Sequence, residues 1–158
     1  MNPPIVDIQS QFPIRILLAD DDADDCHFFE KVLKTIPFNT SFTTVDNGEI
    51  LMTWLFQNYE NLPHVIFLDQ NMPRKKGTEC LKEIKNAEKL KHIPVIIYST
   101  YLQDDVADYL YENGAHYYFR KTELNKLYAF LNQVITKLVE KDFNQPERAS
   151  FTHLLDTI

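Results

Sequence analysis

Asp20, Asp21 and Asp22 directly follow the apolar stretch Ile14 to Ala19, and Asp69 stands immediately after a second one, His64 to Leu68. Ser99 and Lys121 fall at the ends of two further stretches, Val95 to Tyr98 and His116 to Phe119. Where strands of an open parallel sheet finish, side chains gather along one edge, and ligands bind there beside a topological switch point. Carboxylates brought together in this way repel one another unless a cation joins them. Asp20, Asp21 and Asp69 would make an oxygen-rich site suited to magnesium, which takes a few carboxylates, waters and a phosphate oxygen. A hydroxyl from Ser99 and an ammonium from Lys121 complete a set able to recognise phosphate. A carboxylate also attacks phosphorus when its oxygen is unhindered, the transferring charge is neutralised and the donor is held in line. The expected chemistry is therefore a mixed anhydride at Asp69, with the metal and Lys121 supplying the neutralisation. Movement of Ser99 toward one of the new acceptor oxygens would then act as a switch.

These residues need five strands to position them, and the chain supplies the pattern. Short apolar runs alternate with helical-period segments from about residue 14 to residue 141, the rhythm of βα units around a parallel sheet. After the first run, Cys26, Phe29, Leu33 and Ile36 recur at three- and four-residue spacing, the stripe of one buried helix face. Ser41 to Val45 is a shorter strand, and Asn47-Gly48 turns the chain into a helix carrying Ile50, Leu51, Trp54 and Leu55. Beyond Asp69, a helix carries Cys80, Leu81 and Ile84 before Pro94 opens the fourth strand. A polar helix from about Gln103 to Glu112 stops at Asn113-Gly114. The last helix, from about Glu123 to Lys141, sets Leu127, Leu131, Val134 and Leu138 on one side. Five strands in the order 2-1-3-4-5 with five helices would put the first and third strands side by side, and with them Asp20, Asp21 and Asp69.

Taken together, Ile16-Leu17-Leu18-Ala19-Asp20-Asp21-Asp22, Leu68-Asp69-Gln70-Asn71-Met72-Pro73 with Gly77, Ser99 and Lys121 strongly resemble the response-regulator receiver family of two-component signal transduction. The resemblance runs over about residues 14–141 and implies a flavodoxin-like, doubly wound α/β fold. It implies that Asp69 is the phosphoacceptor, Asp21 a direct metal ligand, Asp20 a water-mediated one, and Asn71 a ligand through its backbone carbonyl. Ser99 resembles the family's switch hydroxyl, Lys121 its lysine and Tyr118 its rotating aromatic on the fifth strand. Asn71 and Tyr101 resemble the variable positions that tune hydrolysis, the first by orienting a water and the second by shielding the anhydride. The resemblance further implies Mg2+ as cofactor and a histidine kinase or phosphotransfer protein as donor. The downstream protein target would meet the face formed by the fourth helix, fifth strand and fifth helix, with homodimerisation left open. One departure stands out: receivers usually follow the lysine with a cis proline, whereas here Thr122 follows Lys121, and a non-proline cis bond costs about 3 kcal/mol. Either that bond is strained or the loop takes another shape.

Other readings of the same residues are weaker. Asp20 to Asp22 alone would serve equally as a helix cap, and Asp22 fits that role. Asp20, Asp22 and Asp24 alternate as in a calcium loop, but Asp25 stands where glycine is needed and Lys31 where the closing glutamate is needed. An aspartyl-phosphate hydrolase of the haloacid-dehalogenase type would require Asp-x-Asp, and Gln70 and Asn71 follow Asp69 instead. A pseudo-receiver that binds partners without phosphoryl turnover is the alternative that Thr122 keeps open. The chain is thus expected to be a single-domain response regulator that catalyses only its own phosphorylation and dephosphorylation, with no attached effector.

A length of 158 residues suits one domain, and 44% hydrophobic with 25% charged residues is ordinary globular composition. The net charge of −7 and the lack of a basic stripe argue against direct nucleic-acid binding. No run of about 18 apolar residues, and so no membrane span, is present, and nothing resembles a signal peptide. With Cys26 and Cys80 far apart, reduced thiols in the cytoplasm are expected, each packing as a small hydrophobe. His27, His64, His92, His116 and His153 show no metal-ligand spacing. Tyr98, Tyr101, Tyr109, Tyr111, Tyr117 and Tyr118 cluster around the fourth helix and fifth strand, where they could serve equally as interface anchors or as strand packing. Residues 1–13 and 142–158 read as extensions of the 14–141 core. In the second extension Phe151, Leu154, Leu155 and Ile158 have the spacing of one or two amphipathic turns, a short helix that could dock on the domain or on a partner, with a loosely held tail the equal alternative.

Overall fold

The computed structural model describes residues 12–157; residues 1–11 of the N-terminal extension, and Ile158, lie outside the described residues. The core is a five-stranded parallel sheet in the order β2-β1-β3-β4-β5. Its strands are β1 (Ile14–Ala19), β2 (Thr40–Val45), β3 (Val65–Leu68), β4 (Val95–Ser99) and β5 (Tyr117–Arg120). The intervening helices are α1 (Ala23–Leu33), α2 (Gly48–Gln57), α3 (Gly77–Asn86), α4 (Asp104–Glu112) and α5 (Leu127–Val139). Every residue of β3 and β4 is buried, which is why these strands read as unbroken apolar runs rather than alternating ones.

The period of two divides the core between the sheet's faces. Leu17, Ala19, Ile66, Leu68 and Ile97 face α2, α3 and α4, where they meet Leu51, Leu55, Cys80, Leu81, Ile84 and Leu110. Ile16, Leu18, Phe67, Ile96 and Tyr98 face α1 and α5, against Phe29, Leu33, Leu127, Leu131 and Val134. On that side the Phe29 ring stacks on Phe42 at 5.4 Å and meets Phe67 edge-on at 4.9 Å. Capping residues start the first two helices. Asp22 Oδ1 accepts from Asp25 N at 3.0 Å, and Asn47 Oδ1 accepts from Ile50 N at 2.8 Å.

β2, β3 and α4 begin one residue away from expectation, at Thr40, Val65 and Asp104, and three further boundaries differ. β5 runs one residue later than His116 to Phe119: the His116 amide still reaches Val95 O at 2.8 Å, but the paired register begins with Ile96 opposite Tyr117 and ends with Ser99 opposite Arg120. The last α-helix does not begin near Glu123: Lys121–Lys126 is a 3-10 stretch broken at Glu123 (φ −107, ψ 43), and α5 starts at Leu127. No cis peptide occurs among the described residues, so with Thr122 in place of proline the loop has taken its own shape. No single helix carries the C-terminal stripe: a 3-10 turn, Arg148–Ser150, precedes Phe151, and a second, Leu154–Thr157, follows it. The reason lies in where its apolar residues go: Phe151 joins the core on the α2–α4 side and Leu154 that on the α1–α5 side, which one helix face could not do.

This C-terminal segment lies along the outer edge of β5. Tyr118 N donates to Phe151 O at 2.9 Å, Tyr111 Oη donates to Pro146 O at 2.6 Å, and Gln145 Nε2 reaches Tyr111 O and Ala115 O at 2.7 and 2.8 Å. Arg148 pairs with Asp108 of α4 at 2.8 Å. An edge strand that would otherwise offer unpaired amides is thereby covered.

His116 lies under the same segment, its ring 5.2 Å from Phe143, and burial pushes its imidazole down to about 4. A base whose folded pKa is depressed contributes stability that is complete above its unfolded value near 6.5 and is lost as pH falls toward 4, about 3 kcal/mol at most. Urea unfolding of His116→Phe is therefore expected to show a smaller loss between pH 7 and pH 4.5 than the unaltered chain. Identical losses in the two proteins would contradict the assignment.

Candidate functional site

The parallel register brings the strand ends together. Ala19 of β1 lies opposite Leu68 of β3, so the residues that follow, Asp20 and Asp69, emerge side by side. Ser99 ends β4, and Lys121 follows β5. Carboxylate oxygens of Asp20, Asp21 and Asp69 all lie within 4.8 Å of one another, the one such cluster of metal-ligating side chains among the described residues. Asp20 and Asp69 are buried and Asp21 is exposed, which gives the cluster a wet side and a protein side.

Asp69 Oδ1 accepts from the Ser99 hydroxyl at 2.9 Å and from the Asn71 backbone N–H at 3.2 Å, while Oδ2 faces Lys121 Nζ at 3.4 Å. One oxygen is thus held by neutral donors and the other points to the cation. Asp69 is set in place by its loop: Gly77 N donates to Gln70 O at 3.0 Å, and Gln70 Oε1 accepts from Thr78 N at 2.8 Å at the start of α3. A Cβ on Gly77 would stand 2.6 Å from Asp69 O and 2.8 Å from Gln70 Cα, so the close approach of loop and helix requires glycine.

Lys121 is 7% exposed and meets three carboxylates: Asp20 Oδ2 at 2.6 Å, Asp25 Oδ2 at 2.8 Å and Asp69 Oδ2 at 3.4 Å. Burial alone would lower its ammonium, but Asp20 and Asp25 outweigh burial and hold it above the ordinary lysine range. Burial pushes Asp20 up to about 6 even against that ammonium. Its Oδ2 makes no hydrogen bond of good geometry despite the nearby Nζ, a buried oxygen with capacity for a further positive partner. Acidic, oxygen-only and partly open, the donor set fits a hard divalent cation.

Ser99 is fully buried and already rests against Asp69, so the structure does not show the distant starting position that a swing of this hydroxyl would need. Tyr118 is likewise turned inward, 5% exposed, its Oη 3.4 Å from Thr100 O. Asn71 is exposed beside the acceptor, and Tyr101 stands 66% exposed on the loop after β4. The tyrosine group is divided: Tyr98, Tyr117 and Tyr118 are core, whereas Tyr101 and Tyr109 are exposed. Cys80 is buried and Cys26 partly so, and burial pushes both thiols up to about 12, far from the thiolate range.

Asp25 was not among the residues the sequence singled out for the site. Its signal was present in the spacing: three residues after the capping Asp22, it sits in the first turn of α1 on the side facing the strand ends. Finding it required knowing that Lys121, far along the chain, arrives at the same place.

A family model described as the response regulator receiver domain matches residues 16–132. The response regulator Rcp1 of Synechocystis sp. (strain PCC 6803) is 36% identical over 118 residues, covering 72% of this chain and 80% of that protein. Among solved structures, the phosphorylated cyanobacterial phytochrome response regulator RcpA superposes with a TM-score of 0.73 at 29% identity, covering 82% of this chain and 96% of that one. The Mn2+-bound form of Rcp1 gives 0.72 at 33% identity, covering 81% and 96%. No helix among the described residues is long and apolar enough to cross a membrane. From its sheet order, the convergence of its strand ends and these likenesses, the chain belongs to the response regulator receiver domain family.

Proposed function

We propose that the chain is a phosphoryl-accepting switch, modified on Asp69 by a histidine kinase or phosphotransfer protein in the cytoplasm and signalling through altered protein contacts. The observation that carries this reading is the environment of Asp69: Oδ1 engaged by Ser99 and Asn71, Oδ2 open toward Lys121, and two further carboxylates within 4.8 Å. An Asp69 oxygen attacks phosphorus, the bond from phosphorus to the donor's nitrogen or oxygen breaks, and the donor leaves with that electron pair. Lys121 balances charge on the transferring oxygens, and Ser99 and Asn71 fix the carboxylate's orientation. Asp20, Asp21, Asp69 and the backbone carbonyl of Asn71 would hold Mg2+, which when bound supplies further neutralisation of the phosphoryl charge. The Mn2+-bound Rcp1 and phosphorylated RcpA structures support both parts of the reading by likeness.

Turnover of free phosphoesters is no part of this function; the chain would catalyse its own phosphorylation and dephosphorylation only. A downstream protein would meet the α4–β5–α5 face where the C-terminal segment covering β5 leaves it open, at the exposed Tyr109 and Tyr128. Incubation with Mg2+ and acetyl phosphate, followed by phosphate-affinity electrophoresis, tests the proposal. A labile phosphoprotein that is lost on chelation and in Asp69→Asn is the expected result. A folded protein that stays unmodified would leave the pseudo-receiver as the better reading.

A further inference from the structure

The ammonium of Lys121 and a bound cation need the same carboxylates. Of the three that Lys121 meets, Asp20 and Asp69 belong to the converging cluster, and Asp25 does not. A cation on that cluster repels the ammonium and competes for two of its three partners, leaving Asp25 as the partner it does not claim. Asp25 is well placed to keep its hold. It is about a quarter exposed (side chain 26%), its amide is fastened to the Asp22 cap at 3.0 Å, and it lies in the first turn of α1, where the helix dipole favours a carboxylate. Its 2.8 Å contact with Nζ is shorter than the 3.4 Å contact of the acceptor oxygen itself.

The geometry points to Asp25 as a positioning residue that gives Lys121 a seat compatible with cation binding, so that ammonium and cation occupy the site together. This rests on the proposed phosphoryl-accepting function and extends it. Asp25 touches neither the reacting oxygen nor the cluster's centre. It acts through Lys121, keeping the ammonium beside Asp69 when the cation enters instead of letting it compete for the cluster or swing into solvent.

Mg2+ titration by calorimetry, with no phosphoryl donor present, tests this separately from phosphorylation. Asp25→Asn is expected to weaken Mg2+ binding about fivefold in the otherwise unaltered chain but less than about twofold in a Lys121→Ala background, the mark of a coupled pair. Asp25→Glu should stay near the unaltered value. With saturating Mg2+ and acetyl phosphate, Asp25→Asn should also lower the maximal phosphorylation rate about threefold with little change in the donor KM. Equal weakening in both backgrounds would mean that Asp25 acts only as general negative charge and would overturn the seat, as would no weakening in either. A phosphorylated protein with uncoupled Mg2+ affinities removes this inference and leaves the switch standing. Absence of Mg2+ binding in every variant would remove both.

Discussion

Apart from replacement of the acceptor Asp69 itself, Lys121→Ala should be the most damaging single change to the proposed chemistry and, without added cation, among the most damaging to stability. Among the described residues Lys121 is the one cationic side chain within ion-pair distance of Asp20, and removing it leaves a carboxylate 1% exposed beside Asp69 with no cation to offset either charge. Breaking a buried ion pair from one side costs about 3–5 kcal/mol. Asp20 can escape part of this by taking a proton, because burial already holds it near 6. An acid whose folded pKa is raised above its unfolded value regains stability as pH falls through that raised value. The deficit of Lys121→Ala, measured by urea unfolding, should therefore be large at pH 8 and smaller at pH 5, and Mg2+ should restore most of it. Phosphorylation from acetyl phosphate should nonetheless fall about 10²–10³-fold even with Mg2+ saturating, since a donor aimed at the developing charge has been lost. A variant as stable as the parent at pH 8 in chelator, or phosphorylated at the parent's rate, would contradict the role given to the lysine.

Phe151→Ala should give the second large effect, at the far end of the chain from the first apolar strand. Phe151 is fully buried, meets the Tyr111 ring edge-on at 5.6 Å and accepts the Tyr118 amide through its carbonyl. Truncating a buried phenylalanine costs about 3–5 kcal/mol when the surroundings hold still. Here the loss is capped at the docking energy of the C-terminal segment, because that segment can peel away and leave the sheet folded. The expected outcome is a loss of about 2–4 kcal/mol together with faster hydrogen exchange at the Tyr118 amide. An unchanged Tyr118 amide would show that the segment is held by its other contacts, such as Arg148 on Asp108 and Gln145 on Ala115.

Much of this arrangement is legible in the amino-acid order because both faces of the central strands are covered. β1, β3 and β4 announce themselves as apolar runs, and the polar residue ending each run is by that fact a site candidate. Asp22 and Asn47 mark helix starts through a local hydrogen bond that depends on near neighbours alone. The features that escaped depend on partners distant in sequence. Asp25 has meaning only once Lys121 arrives from the other end of the sheet. The late start of α5 has no glycine or proline to mark it, and neither has the break at Glu123, two residues after the buried Lys121. The C-terminal stripe shows which residues are apolar, but not that Phe151 and Leu154 enter the core on opposite sides of the sheet. Ser99 and Tyr118 were legible as positions, while their inward orientation follows from packing that no local pattern encodes.

The central claim is that Asp69 itself takes the phosphoryl group, and locating the modification tests it most directly. Protein treated with Mg2+ and acetyl phosphate is reduced with borohydride, which converts an acyl phosphate of aspartate to homoserine, and its peptides are then sequenced by mass spectrometry. The account predicts homoserine at position 69 and at no other aspartate, with none formed when Mg2+ is chelated. Conversion at Asp20, Asp21 or Asp25 with Asp69 intact, or none anywhere in a folded protein, would contradict it.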